Sequence, residues 1–173
     1  MRKGWFAQYV GDQLGATALE FALIATPLLA LVLMGLQLAV LVFFDQALQT
    51  VTAQAGRTLM VGAAQKAGLT QQQFGASVCA LAPSAFSCSK LMIDVESYST
   101  FSSANTSPLT PTYTKGVLNP FAYNPGGPGS IVVIRLMYDW PVISGPFGFG
   151  LSNQPDGGHL LVGTAVVKNE PYQ

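Results

Sequence analysis

Residues 21–44 form a run of 24 residues without a charged side chain, and Glu20 stands directly before it. Fifteen of the 24 are Leu, Ile, Val or Phe. As an α-helix the run is about 36 Å long, against roughly 30 Å of bilayer hydrocarbon. At about −0.5 kcal/mol for each strongly apolar residue, the insertion term is roughly −7 kcal/mol. A carboxylate at mid-bilayer would cost at most about 3 kcal/mol on the same scale, and less at the edge. The segment is therefore expected to insert with Glu20 present. A cleaved secretory signal is the competing reading, but its apolar region covers only about 7–15 residues.

The flanks set an orientation. Arg2 and Lys3 precede the run, Asp45 follows it, and the next basic residue is Arg57. The positive-inside bias then predicts a cytoplasmic N-terminus and an extracytoplasmic C-terminal part. The chain has 173 residues, enough for one anchor and one small domain. Its formal net charge is zero, with no basic cluster beyond Arg2-Lys3. Nucleic acid is therefore not expected as a partner, because phosphate binding needs concentrated Lys and Arg.

The expected organisation is a leader over residues 1–15, a long helix over 16–67 and a small domain over 68–173. The transmembrane part of the helix is residues 21–44. Pro27 removes one backbone donor inside it. Beyond Asp45, Leu48, Val51, Ala55, Leu59 and Gly62 recur at helical spacing, while Gln46, Gln49, Gln54, Arg57 and Gln65 fall on other faces. This is an amphipathic extension. Its narrow apolar stripe can pack closely on a partner or cover the chain's own sheet.

Thr70 is placed to cap a short helix running to about Leu81, which Pro83 ends. Three strands follow. Leu91, Ile93 and Val95 alternate with Met92, Asp94 and Glu96 in a strand over 91–101. Residues 131–140 are richer in β-branched and aromatic side chains and read as the central strand. Residues 160–168 form the third, with Gly163 as a candidate bulge. The fold class is thus α+β, a long N-terminal transmembrane helix followed by a small antiparallel sheet.

The stretch 102–130 is rich in Ser, Thr, Pro, Asn and Gly and is expected as a surface excursion with a turn at Asn124-Pro125-Gly126. The loop over 141–158 carries Phe147, Phe149 and Leu151, which either fold back on the core or present an apolar patch. Cys79 and Cys88 lie in the part expected outside the cytoplasm, where an oxidising compartment favours a disulfide. Two separately buried thiols are the alternative.

Catalytic constellations are not evident. His159 is the single histidine and has no ligand-spaced neighbours in the sequence. Ser144-Gly145 is not a nucleophile elbow, and no Gly-Lys-Ser/Thr closes a phosphate loop. Asp94 and Glu96 share one strand face, a weak cation site or simply a solvated one. No enzyme activity, cofactor, metal or small-molecule substrate is expected.

Gly15-Ala16-Thr17-Ala18-Leu19-Glu20-Phe21, the long apolar helix and its amphipathic extension resemble the TadE-like minor pseudopilins of the tight-adherence (Flp-type) pilus, within the type IV pilin group. The ending Asn169-Glu170-Pro171-Tyr172 resembles the C-terminal motif of that family. The resemblance implies cleavage between Gly15 and Ala16 by a prepilin peptidase, making Glu20 the fifth residue of the mature chain. It implies that Glu20 and Phe21 serve assembly and register, with the Glu20 carboxylate meeting the new α-amino group of a neighbour. An unpaired charge in a low-dielectric core is costly, so such a pair favours one register. An ordinary carboxylate at a helix start is the bland alternative.

The implied partners are the membrane, the prepilin peptidase, other pilus subunits and assembly-platform proteins. The implied location is the bacterial inner membrane, single-pass, with a periplasmic domain. Two further readings are a pseudopilin of a secretion system and a membrane-anchored binding module that never enters a filament.

Overall fold

The computed structural model describes residues 13–107, 109–114, 117–142, 150–155 and 157–171. Helix α1 (Gln13–Met60) runs unbroken through Pro27. Val61 and Gly62 then end it, with Gly62 in the left-handed conformation at φ 72°. That conformation is cheap only without a β-carbon and closes helices frequently. The helix expected over 16–67 is therefore two pieces, α1 and a single turn, α2 (Ala63–Lys66). The exposed carbonyl of Met60 accepts a hydrogen bond from the Glu170 backbone N–H at 2.8 Å.

Helix α3 (Gln71–Cys79) starts on a capping box. The Thr70 hydroxyl accepts from the Gln73 N–H, and the Gln73 side chain accepts from the Thr70 N–H. The Cys79–Cys88 disulfide ties the end of α3 to a 3-10 turn (Cys88–Lys90) that leads into β1 (Leu91–Tyr98). After β1 come the two-residue strands β2 (Tyr113–Thr114) and β3 (Val117–Leu118), which pair with each other. Strands β4 (Ile131–Pro141) and β5 (Gly158–Lys168) complete an antiparallel sheet in the order β1-β4-β5.

The register pairs Asp94 with Arg135, Val95 with Ile134 and Leu136 with Gly163. The central strand is buried along Ile131–Tyr138, which is why it is rich in β-branched and other large apolar residues, with Arg135 the one charged residue in that stretch. Alternation assigns its two faces. Ile134 and Leu136 face α1, whose Leu48, Val51, Ala55 and Leu59 are buried in the same core. The apolar stripe of the amphipathic extension thus covers the chain's own sheet.

Two glycines set how closely helix and sheet approach. A β-carbon on Gly56 would sit 3.2 Å from Val167 Cγ1. One on Gly163 would collide with the Thr52 hydroxyl and lie 3.1 Å from the Leu48 carbonyl oxygen. The β4–β5 register runs through Gly163 without an extra residue, so it is a close-approach position and not a bulge.

The second face of the sheet carries Ile131, Val133, Arg135 and Met137, all buried. Part of the 102–130 stretch lies across it. The Asn105 carbonyl accepts from Arg135 and the Ala122 N–H donates to Asp94 Oδ1 at 3.1 Å, while the backbone of residues 122 and 124 pairs with Val95 along the outer edge of β1. This stretch acts as a cover and is not only a surface excursion. The carboxylate pair expected as solvated is half buried, because Asp94 is 2% exposed.

Candidate processing and assembly site

Gly15 and Ala16 lie inside α1, whose helical backbone is described from Gln13. Glu20 follows one helical turn after Ala16, a rise of about 6 Å. Glu20 is exposed, and its neighbours Leu19 and Phe21 are 62% and 74% exposed. It makes no ion pair among the described residues. An acidic group here, at the end of an apolar rod, can accept a cation from outside the chain. Large apolar side chains continue outward from Phe21 to Leu38, including Ile24, Leu28, Leu31 and Leu36, all at least 58% exposed. Water is a poor solvent for such a surface, and lipid or other helices are good ones.

The C-terminal motif sits at the other end of the molecule and has a structural job. Asn169 is 1% exposed. Its Nδ2 donates to the Pro125 carbonyl at 2.9 Å and to that of Gly127 at 3.1 Å. Its backbone N–H donates to Ser130 O, and its carbonyl accepts from the Gly129 N–H. Gln65 Nε2 donates to the same Pro125 carbonyl at 2.8 Å and also to Leu59 O. Asn169 and Glu170 therefore lock together the turn around Pro125, the end of α1 and the last strand. Pro171 is exposed, and Tyr172 lies outside the described residues, as do Phe147 and Phe149. Cys79 and Cys88 are joined, with their Cα atoms 5.6 Å apart. None of these groups lies near Glu20 in the chain or in a shared cluster. The Gly15–Phe21 motif and the C-terminal motif are separate features.

Arg135 escaped sequence reasoning. It is fully buried in β4, with Nη1 2.5 Å from Asp94 Oδ2 and 3.4 Å from Glu96 Oε2. The Tyr98 hydroxyl donates to Glu96 Oε2 at 2.5 Å. Burial raises the Asp94 carboxyl above its ordinary range, and the hydrogen bond and charge of Arg135 only partly offset this. Burial also works against the Arg135 charge, but the bonds to Asp94 and Glu96 outweigh it and the guanidinium is raised. The Tyr98 hydroxyl is raised chiefly by its bond to Glu96. A signal was present: one Arg in an otherwise apolar strand, with two carboxylates on an earlier strand. Only the register shows that they meet.

His159 is the second residue of β5, and its Nδ1 contacts the Leu151 carbonyl, a local bond across the loop.

Residues 15–57 match the family model of TadE-like proteins, the family that the motifs resemble. The match begins at Gly15 and covers α1 as far as Arg57, leaving the sheet outside it. No curated protein and no solved structure matches the chain. Residues 17–60 contain one helix long and apolar enough to cross a membrane.

Proposed function

We propose that this chain is a minor pilin-like component for assembly of a tight-adherence pilus. In this reading it is anchored in the inner membrane by α1, with its N-terminus in the cytoplasm and its sheet domain in the periplasm. A prepilin peptidase cuts between Gly15 and Ala16. Glu20 then guides the register of the helix among other pilus subunits or platform proteins. The observation that carries the reading is the start of the TadE-like match at Gly15, five residues before an exposed Glu20 at the head of an exposed apolar helix.

The chemistry follows from those positions. Before assembly the carboxylate stays at the headgroup level, where it is hydrated. Inside a helical bundle it needs a cation, and the nearest one that processing generates is an α-amino group. Pairing them offsets the desolvation cost of both, while any other stagger leaves each exposed to apolar surroundings.

Two measurements test this. N-terminal sequencing of chain co-expressed with its prepilin peptidase should return a mature protein beginning at Ala16; any other start defeats the processing step. Glu20→Gln should insert normally but reduce the yield of sheared pili, and undiminished piliation would remove Glu20 from assembly.

A further inference from the structure

The exposed apolar surface of α1 stops where the domain begins. Leu41, near the end of the uncharged run, is only 4% exposed and belongs to the domain core with Leu48 and Tyr138. Phe44, one turn on, stacks on Trp140 with ring centroids 4.0 Å apart. The part of the run still available to lipid all round is therefore residues 21–40. Twenty residues of helix are about 30 Å long, the thickness of the hydrocarbon layer. Counting all of 21–44 as spanning would sink the first turn of the folded domain into lipid tails.

The side chains at this junction are largely aromatic. Phe43 is 64% exposed and touches Phe44 edge-on, with centroids 5.3 Å apart. Phe44 contacts Phe86 at 5.5 Å, and Phe86 contacts Tyr138 and Trp140 at 4.9 and 6.1 Å. Trp140 is half-buried, and Pro141 beyond it is exposed at the end of β4. Strand β4 runs antiparallel to α1, since Ile134 lies by Gly56 and Trp140 by Phe44. The same end of the sheet thus points back toward the apolar rod. Trp140 combines an apolar body with a polar N–H, the kind of ring enriched at this depth of a membrane, and the exposed Phe43 adds apolar surface beside it.

We infer that the domain does not hang free on its anchor but rests on the bilayer, with Phe43 and Trp140 forming an aromatic collar at headgroup level. This rests on the reading that α1 spans the membrane. The occupant of the surface is lipid. The apolar rod leads directly into the collar, and a span of residues 21–40 places the collar at the boundary. Seated in this way, α1 leaves the membrane at an orientation held by the domain, which would pre-set the anchor before it meets other subunits.

The test uses the full chain reconstituted in phosphatidylcholine–phosphatidylglycerol vesicles. Of the two tryptophans, Trp5→Phe leaves Trp140 as the single indole. Lipids brominated on the acyl chain near the glycerol should cut its fluorescence by about half or more, as expected for an indole at the interface. Acrylamide should quench it less in vesicles than it quenches free N-acetyltryptophanamide in the same buffer. A second protein, Trp5→Phe/Trp140→Phe/Leu31→Trp, reports on the span itself, because Leu31 is 69% exposed midway along the apolar rod. Quenching of Trp140 by the shallow bromines, and of position 31 by a lipid brominated near the acyl-chain end, supports the collar. Quenching at position 31 but not at 140 keeps the span and overturns the collar, whether Trp140 is found in water or shielded by protein. No quenching at position 31, whatever the result at 140, overturns the membrane span and the collar with it.

Discussion

Arg135→Ala should be among the most damaging single changes in this protein. The guanidinium is fully buried and 2.5 Å from the Asp94 carboxylate, itself 2% exposed. Truncation leaves that carboxylate under the 102–130 cover with one remaining donor, the Ala122 N–H at 3.1 Å. Removing one partner of a buried ion pair costs about 3–5 kcal/mol, because the other charge stays desolvated. Against a total of roughly 5–15 kcal/mol this is a large share. At about 2–4 °C per kcal/mol, the expected fall in Tm is roughly 6–20 °C.

The assay is thermal unfolding of the full chain in detergent micelles, followed by near-ultraviolet circular dichroism. Asp94→Leu/Arg135→Met should recover much of the loss, since an apolar replacement of both partners is often neutral or better. The pH dependence has a definite sign. Burial holds the folded Asp94 carboxyl above its unfolded range, so its contribution to stability is fully present below the ordinary carboxyl range. That contribution fades as pH rises through the raised folded value. Without Arg135 the folded value rises further, so the penalty in Arg135→Ala should shrink as the pH is lowered from neutral toward that window. A loss below about 1 kcal/mol, the scale of an exposed pair, would refute the reasoning. A penalty that grows on mild acidification would do the same.

Asn169→Leu removes two hydrogen bonds to the carbonyls of Pro125 and Gly127 and should cost about 1–3 kcal/mol in the same melt. Hydrogen exchange should show faster opening at Gly129 and at Glu170, whose N–H groups bond across this junction. Gly163→Val places a branched side chain where even a β-carbon meets Thr52 and Leu48. It should cost about 1–3 kcal/mol or more, and Thr52→Ala in the same chain should return part of it.

Much of the fold was legible because local periodicity carries it. The apolar run and the stripe from Leu48 to Leu59 have helical spacing, and the three strands have their own alternation or largely apolar character. The capping role of Thr70 was readable from a side chain whose partner lies three residues on. Features that depend on distant contacts were not readable. The helix break needs the φ of Gly62, and a glycine there could equally have sat inside a helix. Gly163 looked like a bulge because a strand glycine has several uses, and only the approach of α1 selects one of them. Arg135 was hidden because its meaning comes from a partner 41 residues away in sequence.

The sequence alone determined that the chain has one long apolar helix, an α+β layout and an acidic group five residues after Gly15. These follow from side-chain order along a single segment, and insertion energy and periodicity are sums over neighbours. Tertiary structure decided where the apolar helix stops being exposed on every side, at Leu41, because burial there is imposed by a domain that begins later in the chain. It also decided that the ending at Asn169 and Glu170 is a lock on the turn around Pro125, and that Asp94 faces a guanidinium and not water. Those outcomes depend on which distant segments share a face, and no local pattern encodes that.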